Sequence, residues 1–258
     1  MLSSCVLSIG KEIVNGSIND TNSFYLSSQL TSIGIYNRYI VAVDDDEIDI
    51  TENFLYCLSK VNIIITTGGL GPTFDDITVA SIAKALKRKM VLSENAYKKI
   101  EAFYERLFEE NRIPSKGMNV KRKKMAYVPE NSIELENSVG AAPGVYIKEK
   151  NKHIFCLPGV PKEMKSMFES GVLPVLKGMS EGITISRTYE FEINDETVLT
   201  QAVDAVMAKD VYIKSLPAGF DSKTMGVRFT VSGKNESECL KKIEAAKNNL
   251  ERILYEFK

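Results

Sequence analysis

The stretch "VNIIITTGGLGPTFDD", Val61 to Asp76, joins a short apolar run to a loop with three glycines and two adjacent carboxylates. An apolar run of this length bounded by turn residues predicts a buried strand, and a helix is expected after the loop. Glycine permits positive φ and lets backbone N–H groups approach a bulky anion, while the N-terminus of the next helix adds a partial positive charge. The loop is therefore expected to bind phosphate, although it matches neither common phosphate-binding motif. A tight strand-to-helix turn with Asp76 as the N-cap is the alternative interpretation.

Two carboxylates, Asp75 and Asp76, stand at the far end of this loop. A carboxylate beside a polyphosphate is repelled unless a cation lies between them. The pair therefore predicts Mg²⁺ or a similar divalent ion that bridges protein and phosphates. One of the two is expected to cap the helix, which would leave the other as the metal ligand.

The first half of the chain alternates apolar runs with amphipathic stretches. This order predicts an α/β fold with a mainly parallel sheet and helices on both of its faces. The predicted strands are 4–10, 35–43 and 61–67, and the predicted helices are 20–34, 44–60 and about 76–88. In a parallel sheet, ligands bind beyond the carboxyl ends of the strands, and the glycine loop lies at such an end.

Two further acidic groups follow the first two strands: Glu12 with Asp20, and the run Asp44, Asp45 and Asp46. Parallel strands would bring these groups to the same edge as the glycine loop, so they are candidates for the same site. Helix caps and a solvated charge run are the alternatives.

The second half of the chain is less regular. An amphipathic helix is predicted at 94–111, and packing of its apolar stripe explains it fully. Residues 113–137 are expected to form a long loop with one short strand, and 144–159 a hairpin that turns at Lys150 and Asn151. After a glycine-containing linker, the order β, α, β, β, α predicts a small α+β unit. The predicted domains are therefore 1–176 and 183–258.

Composition and charge exclude several classes of protein. The 258-residue chain has a formal net charge of −1, so no overall field attracts nucleic acid or an anionic membrane. No apolar run approaches the length of a membrane span, and the N-terminus lacks a signal-peptide pattern, so a cytoplasmic location is expected. The four cysteines are far apart and His153 is the only histidine, which argues against a disulfide framework, a zinc site or a Ser/His/Asp triad.

Four segments together resemble one family: "GKEIVNGSINDTN", "TTGGLGPTFDDIT", "NSVGAAPG" and "LPGVPKEM". In this order and spacing they are similar to the N-terminal domain of the CinA (competence-damage-inducible protein) family, which has the MoaB/Mog-like molybdopterin-binding fold. The resemblance covers about residues 4–176. It implies a three-layer α/β domain, and the segment after Gly182 resembles the small KH-like domain that follows in full-length members. The small domain lacks the G-x-x-G loop with which KH modules clamp RNA, so no nucleic-acid partner is expected.

The resemblance also implies roles for individual residues. It assigns catalysis to Asp76 and Asp45, and a metal site to Asp76, Asp75, Asp20 and Glu12. It assigns phosphate binding to the loop residues Thr67, Gly68, Gly69, Gly71, Pro72 and Thr73, and the facing wall of the pocket to Gly140, Pro143 and Gly144. Lys11 stands where the family has an aspartate, so it would either weaken metal binding or contact phosphate itself.

Three activities are compatible with this resemblance. The first is a metal-dependent pyrophosphatase that uses Mg, Mn or Co to cleave ADP-ribose or a related nucleotide diphosphate. The alternatives are a non-catalytic protein that binds molybdopterin or a nucleotide, and an enzyme that adenylylates molybdopterin. Relatives of both kinds form symmetric oligomers, so a homo-oligomer, either a dimer or a trimer, is expected.

Overall fold

The computed structural model describes residues 2–193, 195–206, 210–216 and 223–256. It contains two compact units, Met1–Leu30 with Ile35–Met179 and Thr31–Gly34 with Ser180–Lys258. The sequence predicted domains at 1–176 and 183–258, and independent folding of the two remains a prediction. In the part of the chain that is described, no helix is long and apolar enough to cross a membrane.

A six-stranded sheet forms the centre of the first unit. The strands before residue 180 are β1 (Ser3–Ile9), β2 (Tyr36–Val43), β3 (Ile63–Thr67), β4 (Met90–Leu92), β5 (Tyr127–Pro129), β6 (Ile133–Leu135), β7 (Gly144–Glu149) and β8 (Lys152–Leu157). The sheet has the order β2-β1-β3-β8-β7-β6, in which the first four strands are parallel and the last two pairings are antiparallel. The prediction of a mainly parallel sheet is confirmed. The carboxyl ends of β1, β2, β3 and β8 consequently share one edge.

Helices separate most of these strands along the chain. They are α1 (Lys11–Val14), α2 (Thr21–Ser32), α3 (Glu47–Lys60), α4 (Thr78–Ala85), α5 (Glu94–Glu109), α6 (Val120–Lys124), α7 (Pro161–Met167) and α8 (Leu173–Lys177), with a π-helical segment at Phe168–Val172. All five residues of β3 are buried, so both faces of the sheet are covered at its centre. This burial agrees with the predicted three-layer α/β class.

The core explains why the central strands read as apolar runs. Leu7 and Ile64 pack with Phe54 of α3 in one cluster, and all three are buried. The described cysteines are free and buried, with the Cys5 and Cys57 sulfur atoms 2.9 Å apart. Free cysteines in such surroundings behave as small apolar side chains.

The segment 113–137 was predicted wrongly. It contains helix α6 and two strands, β5 and β6, instead of a long loop with one strand. Helix α6 is a run of basic residues without apolar periodicity. Its position depends on Asn119, whose side chain caps the helix, and on Arg122, whose guanidinium lies 3.9 Å from the centroid of the Tyr104 ring. These contacts cannot be detected from local periodicity.

The hairpin of β7 and β8 is confirmed, and Lys150 at its turn has a φ of 55°. His153 in β8 is half-buried and its Nδ1 lies 2.7 Å from the Tyr146 hydroxyl, so it is a packed histidine. Burial, as the largest cause, holds the pKa of His153 below its usual range.

The second unit has the predicted order of elements. It contains β9 (Ile183–Phe191), α9 (Glu196–Val206), β10 (Tyr212–Ser215), β11 (Met225–Gly233) and α10 (Glu236–Glu256). Its antiparallel sheet has the order β10-β11-β9. Phe229, Leu199 and Ile243 lie in its core with no exposed surface, which confirms a small α+β unit with its own apolar centre.

Candidate functional site

The glycine loop leaves β3 at the edge where the parallel strands end. Gly68 and Gly69 have φ values of +106° and +69°. A Cβ atom on Gly68 would overlap the Ile9 carbonyl oxygen, and one on Gly69 would overlap the Thr78 hydroxyl. The Thr78 hydroxyl in turn donates to the Gly68 carbonyl at 2.9 Å. Glycine is therefore required here because the loop packs closely between β1 and α4.

Three successive N–H groups of this loop make no hydrogen bond to any described residue. Within the part of the chain that is described, the N–H groups of Gly69, Leu70 and Gly71 have no acceptor. Adjacent unpaired N–H groups in such a turn form a concave site for anions. The Gly68 N–H, in contrast, donates to the Leu157 carbonyl at 3.0 Å. Of the predicted phosphate ligands, Gly69 and Gly71 thus have free donors and Gly68 does not.

Thr67, which was also assigned to the phosphate site, lies in the interior of the protein. Its hydroxyl donates to the Pro158 carbonyl at 3.0 Å and accepts from the Asn22 amide at 2.9 Å. These bonds connect β3 to the segment after β8 and to α2. The hydroxyl of Thr67 therefore holds the base of the loop.

The two aspartates of the loop do not cap α4, contrary to prediction. The N-cap of α4 is Ile77, which makes no side-chain cap. The Asp76 carboxylate instead accepts from the N–H of Thr73 at 2.8 Å and lies 2.6 Å from its hydroxyl. The Asp75 carboxylate also contacts that hydroxyl. One hydroxyl proton cannot serve both carboxylates, so two acidic oxygen atoms face each other across Thr73.

The contact with the Thr73 hydroxyl, as the largest cause, holds the pKa of Asp75 below its usual range. The Lys124 ammonium adds a smaller effect of the same sign. Lys124 also donates to the Thr73 carbonyl, so this lysine holds the loop from the side of α6.

Asp45 follows β2 and joins the same acidic group. Its carboxylate accepts from the backbone N–H of Lys11 at 2.9 Å. Burial, as the largest cause, raises the pKa of Asp45 above its usual range, and the Lys11 N–H opposes this shift. The negative charges of Glu12, Asp75 and Asp44 raise this pKa further, which places three carboxylates of different segments in one electrostatic neighbourhood.

Other predicted acidic residues have structural roles. Asp20 accepts from the Ser23 N–H at 2.9 Å at the start of α2, and Asp46 caps α3 by accepting from Ile48 and Asp49. Asp20 lines a smaller cavity of about 150 Å³, which shares Ile9, Glu12 and Gly159 with the cavity of the glycine loop. The capping alternative therefore holds for Asp20 and Asp46, and the structure does not bring Asp20 into the cavity of the glycine loop.

The glycine loop, Glu12, Asp45, Asp75 and Asp76 line one cavity of about 690 Å³, which is a typical volume for a small-molecule site. Gly140 lies on the facing wall, as predicted. Pro143 lines two neighbouring cavities instead. Gly144 lies in β7, where an added Cβ would meet Met167 at 2.7 Å, so this glycine serves packing. Lys11 contributes its backbone, and its ammonium is not among the groups that line this cavity.

Four aromatic or charged lining residues were missed from the sequence: Phe103, Tyr104, Arg112 and Glu163. Phe103 and Tyr104 belong to α5, which was interpreted as a purely packing helix. Glu163 accepts from the Asn137 amide at 2.7 Å, and a Cβ on Gly140 would overlap its carboxylate. Glu163 lies within the quoted motif "LPGVPKEM", so the signal was present but was not assigned to a residue.

No group of three or more His, Cys, Asp or Glu side chains that could hold a metal ion occurs among the described residues. The predicted set Asp76, Asp75, Asp20 and Glu12 is therefore not assembled by the chain alone. Asp75, Asp76 and the Thr73 hydroxyl nevertheless converge as hard oxygen donors. Mg²⁺ is commonly held by one or two carboxylates together with waters and substrate phosphates, and these residues fit that pattern.

Comparison with known proteins found relatives in both sequence and structure. The family described as "Probable molybdopterin binding domain" matches residues 5–178. Protein PF0476 of Pyrococcus furiosus is 39% identical over 245 residues, which are 94% of this chain and 95% of that protein. A longer protein of Clostridium beijerinckii, named for competence-damage induction, is 34% identical over 96% of this chain and 59% of its own length. The crystal structure of the protein CinA with unknown function from Thermoplasma acidophilum superimposes with a TM-score of 0.62 at 32% identity, covering 67% of this chain and 97% of that one.

Proposed function

The chain belongs to the molybdopterin-binding domain family and resembles its CinA members, and on this premise we propose that it binds a nucleotide or pterin phosphate at the glycine loop. We further propose that it hydrolyses a phosphoanhydride bond, as in ADP-ribose or a related nucleotide diphosphate, with a divalent cation. The family match over residues 5–178 confirms the resemblance found in the sequence motifs. The reaction, the cation, the oligomeric state and the cytoplasmic location remain predictions.

One observation carries the proposal: free N–H donors and acidic groups line the same cavity. The N–H groups of Gly69 to Gly71 attract an anion, whereas Asp45, Asp75 and Glu12 repel it. A diphosphate accompanied by a divalent cation would suit both kinds of group, because the N–H groups would bind the phosphates and the carboxylates would bind the cation. Without the cation, the carboxylates would oppose binding of the same phosphate.

The residues of the cavity would have different roles in hydrolysis. The loop N–H groups would hold phosphoryl oxygens and stabilise the charge that develops on them during hydrolysis. Asp45 would accept a proton from the attacking water, because a carboxylate with a raised pKa is a stronger base. Asp75 and Asp76 would hold Mg²⁺, Mn²⁺ or Co²⁺, which would neutralise the diphosphate and make water more acidic. The water oxygen bonds to one phosphorus, the bridging P–O bond breaks, and two monophosphates leave.

A second candidate is a binding protein without hydrolytic activity. It is favoured by the engagement of both loop aspartates with Thr73, which gives the loop a fixed shape without a cation. Adenylylation of molybdopterin would use the same phosphate site: the molybdopterin phosphate would bond to the α-phosphorus of ATP, the α,β-phosphoanhydride bond would break, and pyrophosphate would leave.

Calorimetric titration with ADP-ribose, combined with ³¹P NMR of the same samples, separates these functions. With Mg²⁺ present, we expect binding followed by replacement of the diphosphate signals with those of AMP and ribose 5-phosphate. In EDTA, we expect weaker binding and no hydrolysis. Metal-independent binding with an intact diphosphate would support the binding protein, and failure of every nucleotide and pterin phosphate to bind would contradict the proposed site.

A further inference from the structure

A second cavity adjoins the glycine-loop cavity. Its volume is about 680 Å³, and it lies between α5 and the segment from Glu134 to Pro143. Phe103, Gly140 and Ala141 line both cavities, so the two spaces are neighbours across these residues. The glycine loop itself does not reach the second cavity. A ligand that spans both would therefore carry its phosphates at one end and a different group at the other.

The wall formed by α5 has an aromatic and cationic character. Asn95, Lys99, Phe103 and Arg106 recur at helical spacing and face the second cavity. The buried Ile100 of the same helix belongs to the core and does not line the second cavity. Helix α5 therefore has two working faces, one for packing and one for the cavity.

Phe103 is held in a fixed orientation by its neighbours. The Arg106 guanidinium lies 5.2 Å from the centroid of its ring, and the Tyr104 ring meets it edge-on at 5.7 Å. An aromatic ring beside a guanidinium offers a stacking surface for a planar heterocycle. Such rings are carried by nucleotides and by pterins.

The segment from Glu134 to Pro143 contributes carboxylates to this cavity. In the described chain, Glu136 has no hydrogen-bond or ion-pair partner, whereas Glu134 accepts from Ser93 and Asn95. Glu136 is exposed where it lines the cavity, and its carboxylate is suited to accept hydrogen bonds from sugar hydroxyls or ring N–H groups of a bound ligand.

We propose that the second cavity binds the ring-bearing group attached to the diphosphate, with Phe103 and Arg106 as specificity-determining residues. The ligand class is thus a diphosphate joined to a planar heterocycle and its sugar. The inference rests on the proposed function, because it assumes that the diphosphate lies at the glycine loop.

Two non-hydrolysable probes test the second cavity separately from the first. With Mg²⁺ present, methylenediphosphonate would occupy only the glycine loop, whereas α,β-methylene-ADP would occupy both cavities. For the unaltered protein we expect α,β-methylene-ADP to bind at least about tenfold more tightly. In Phe103→Leu, which keeps an apolar side chain, the ratio of the Kd of methylenediphosphonate to that of α,β-methylene-ADP should fall about tenfold. The Kd of methylenediphosphonate itself should change less than about twofold.

Phe108→Leu is the matched control, because Phe108 lies on the same helix and lines neither cavity. It should leave both Kd values unchanged. The exposed Arg106 lies beside the Phe103 ring. Arg106→Gln should therefore reduce the ratio between the Kd values of methylenediphosphonate and α,β-methylene-ADP, even if Phe103→Leu does not fold. Equal Kd values for the two probes, or no effect of Phe103→Leu and Arg106→Gln, would overturn the inference and leave the glycine-loop site intact. If methylenediphosphonate itself does not bind, the proposed function fails.

Discussion

Asp45 is the residue whose surroundings most directly reflect the acidic character of the site. Its raised pKa means that the folded protein holds a proton on this group more tightly than the unfolded chain does. The free energy of unfolding therefore decreases as the pH rises through the raised pKa, and the effect disappears below the unfolded value of about 3.9. A bound cation would act in the opposite direction on the pKa of Asp45, because it favours the ionised carboxylate.

Asp45→Asn should consequently have a higher melting temperature than the unaltered protein at pH 7 in EDTA, but not at pH 3. Asparagine retains an oxygen that accepts from the Lys11 N–H, so the local geometry is kept. The same variant should lose at least about a hundredfold in hydrolysis if Asp45 is the general base. Melting curves across pH measure the first effect, and Asp46→Asn is the control, because asparagine is an equally good N-cap. An unchanged melting temperature at pH 7 would contradict the assigned environment.

Asp76 holds Thr73 and has a proposed role in metal binding, and the choice of substitution separates the two. Asp76→Ala removes the acceptor for the Thr73 N–H and should lower the free energy of unfolding by about 0.5–1.5 kcal/mol. Asp76→Asn keeps an acceptor and removes the charge, so it should retain stability but lose hydrolysis at limiting metal. Urea unfolding and initial rates measure the two effects. A wild-type rate in Asp76→Asn at limiting Mg²⁺ would show that Asp76 only shapes the loop.

Local sequence patterns predicted the helices and strands whose formation depends on local interactions. The strands 3–9, 36–43 and 63–67 were recognisable as apolar runs, and the Lys150 turn followed from its hairpin. Helix α6 was missed because its position depends on contacts between Arg122 and distant residues. The cavity-lining side of α5 was missed for a related reason: periodicity identifies the buried face of a helix and not what its other face contacts.

Arg122 is expected to be the main anchor of α6. Its buried guanidinium lies against Tyr104 and donates to the carbonyls of Gly117 and Ser115. Arg122→Ala should therefore lower the free energy of unfolding by about 1–3 kcal/mol, through lost charged hydrogen bonds and the lost cation–π contact. Lys123→Ala on the exposed side of α6 is the control and should change it by less than about 0.5 kcal/mol. Equal urea midpoints for the two variants would refute the anchoring role.

The acidic residues show how much of the candidate site could be predicted from the sequence of the whole molecule. Topology alone brought Glu12, Asp45 and the glycine loop to one edge, and the structure confirms that they line one cavity. Topology could not distinguish a ligand from a cap, so Asp20 was assigned to the metal although it caps α2. Side-chain hydrogen bonds make that distinction, and they are not encoded in spacing.

Each of the two units has its own buried apolar cluster, which leads to a prediction about truncation. A fragment that ends at Gly178 contains every element of the glycine-loop cavity and should fold and bind methylenediphosphonate with Mg²⁺. Circular dichroism and calorimetric titration test the two properties. An unfolded fragment would refute independent folding, and a folded fragment that binds only as an oligomer would place part of the site at a subunit interface.

The proposed function depends on phosphate binding by the N–H groups of Gly69, Leu70 and Gly71. Amide ¹H–¹⁵N NMR spectra of the labelled protein, recorded while methylenediphosphonate is added with Mg²⁺, test it most directly. We predict that these three signals move downfield as the N–H groups gain an acceptor, and that Gly68 moves much less because its N–H already donates to Leu157. Saturable binding that shifts the signals of other amides while these three signals stay unchanged would contradict phosphate binding by the glycine loop.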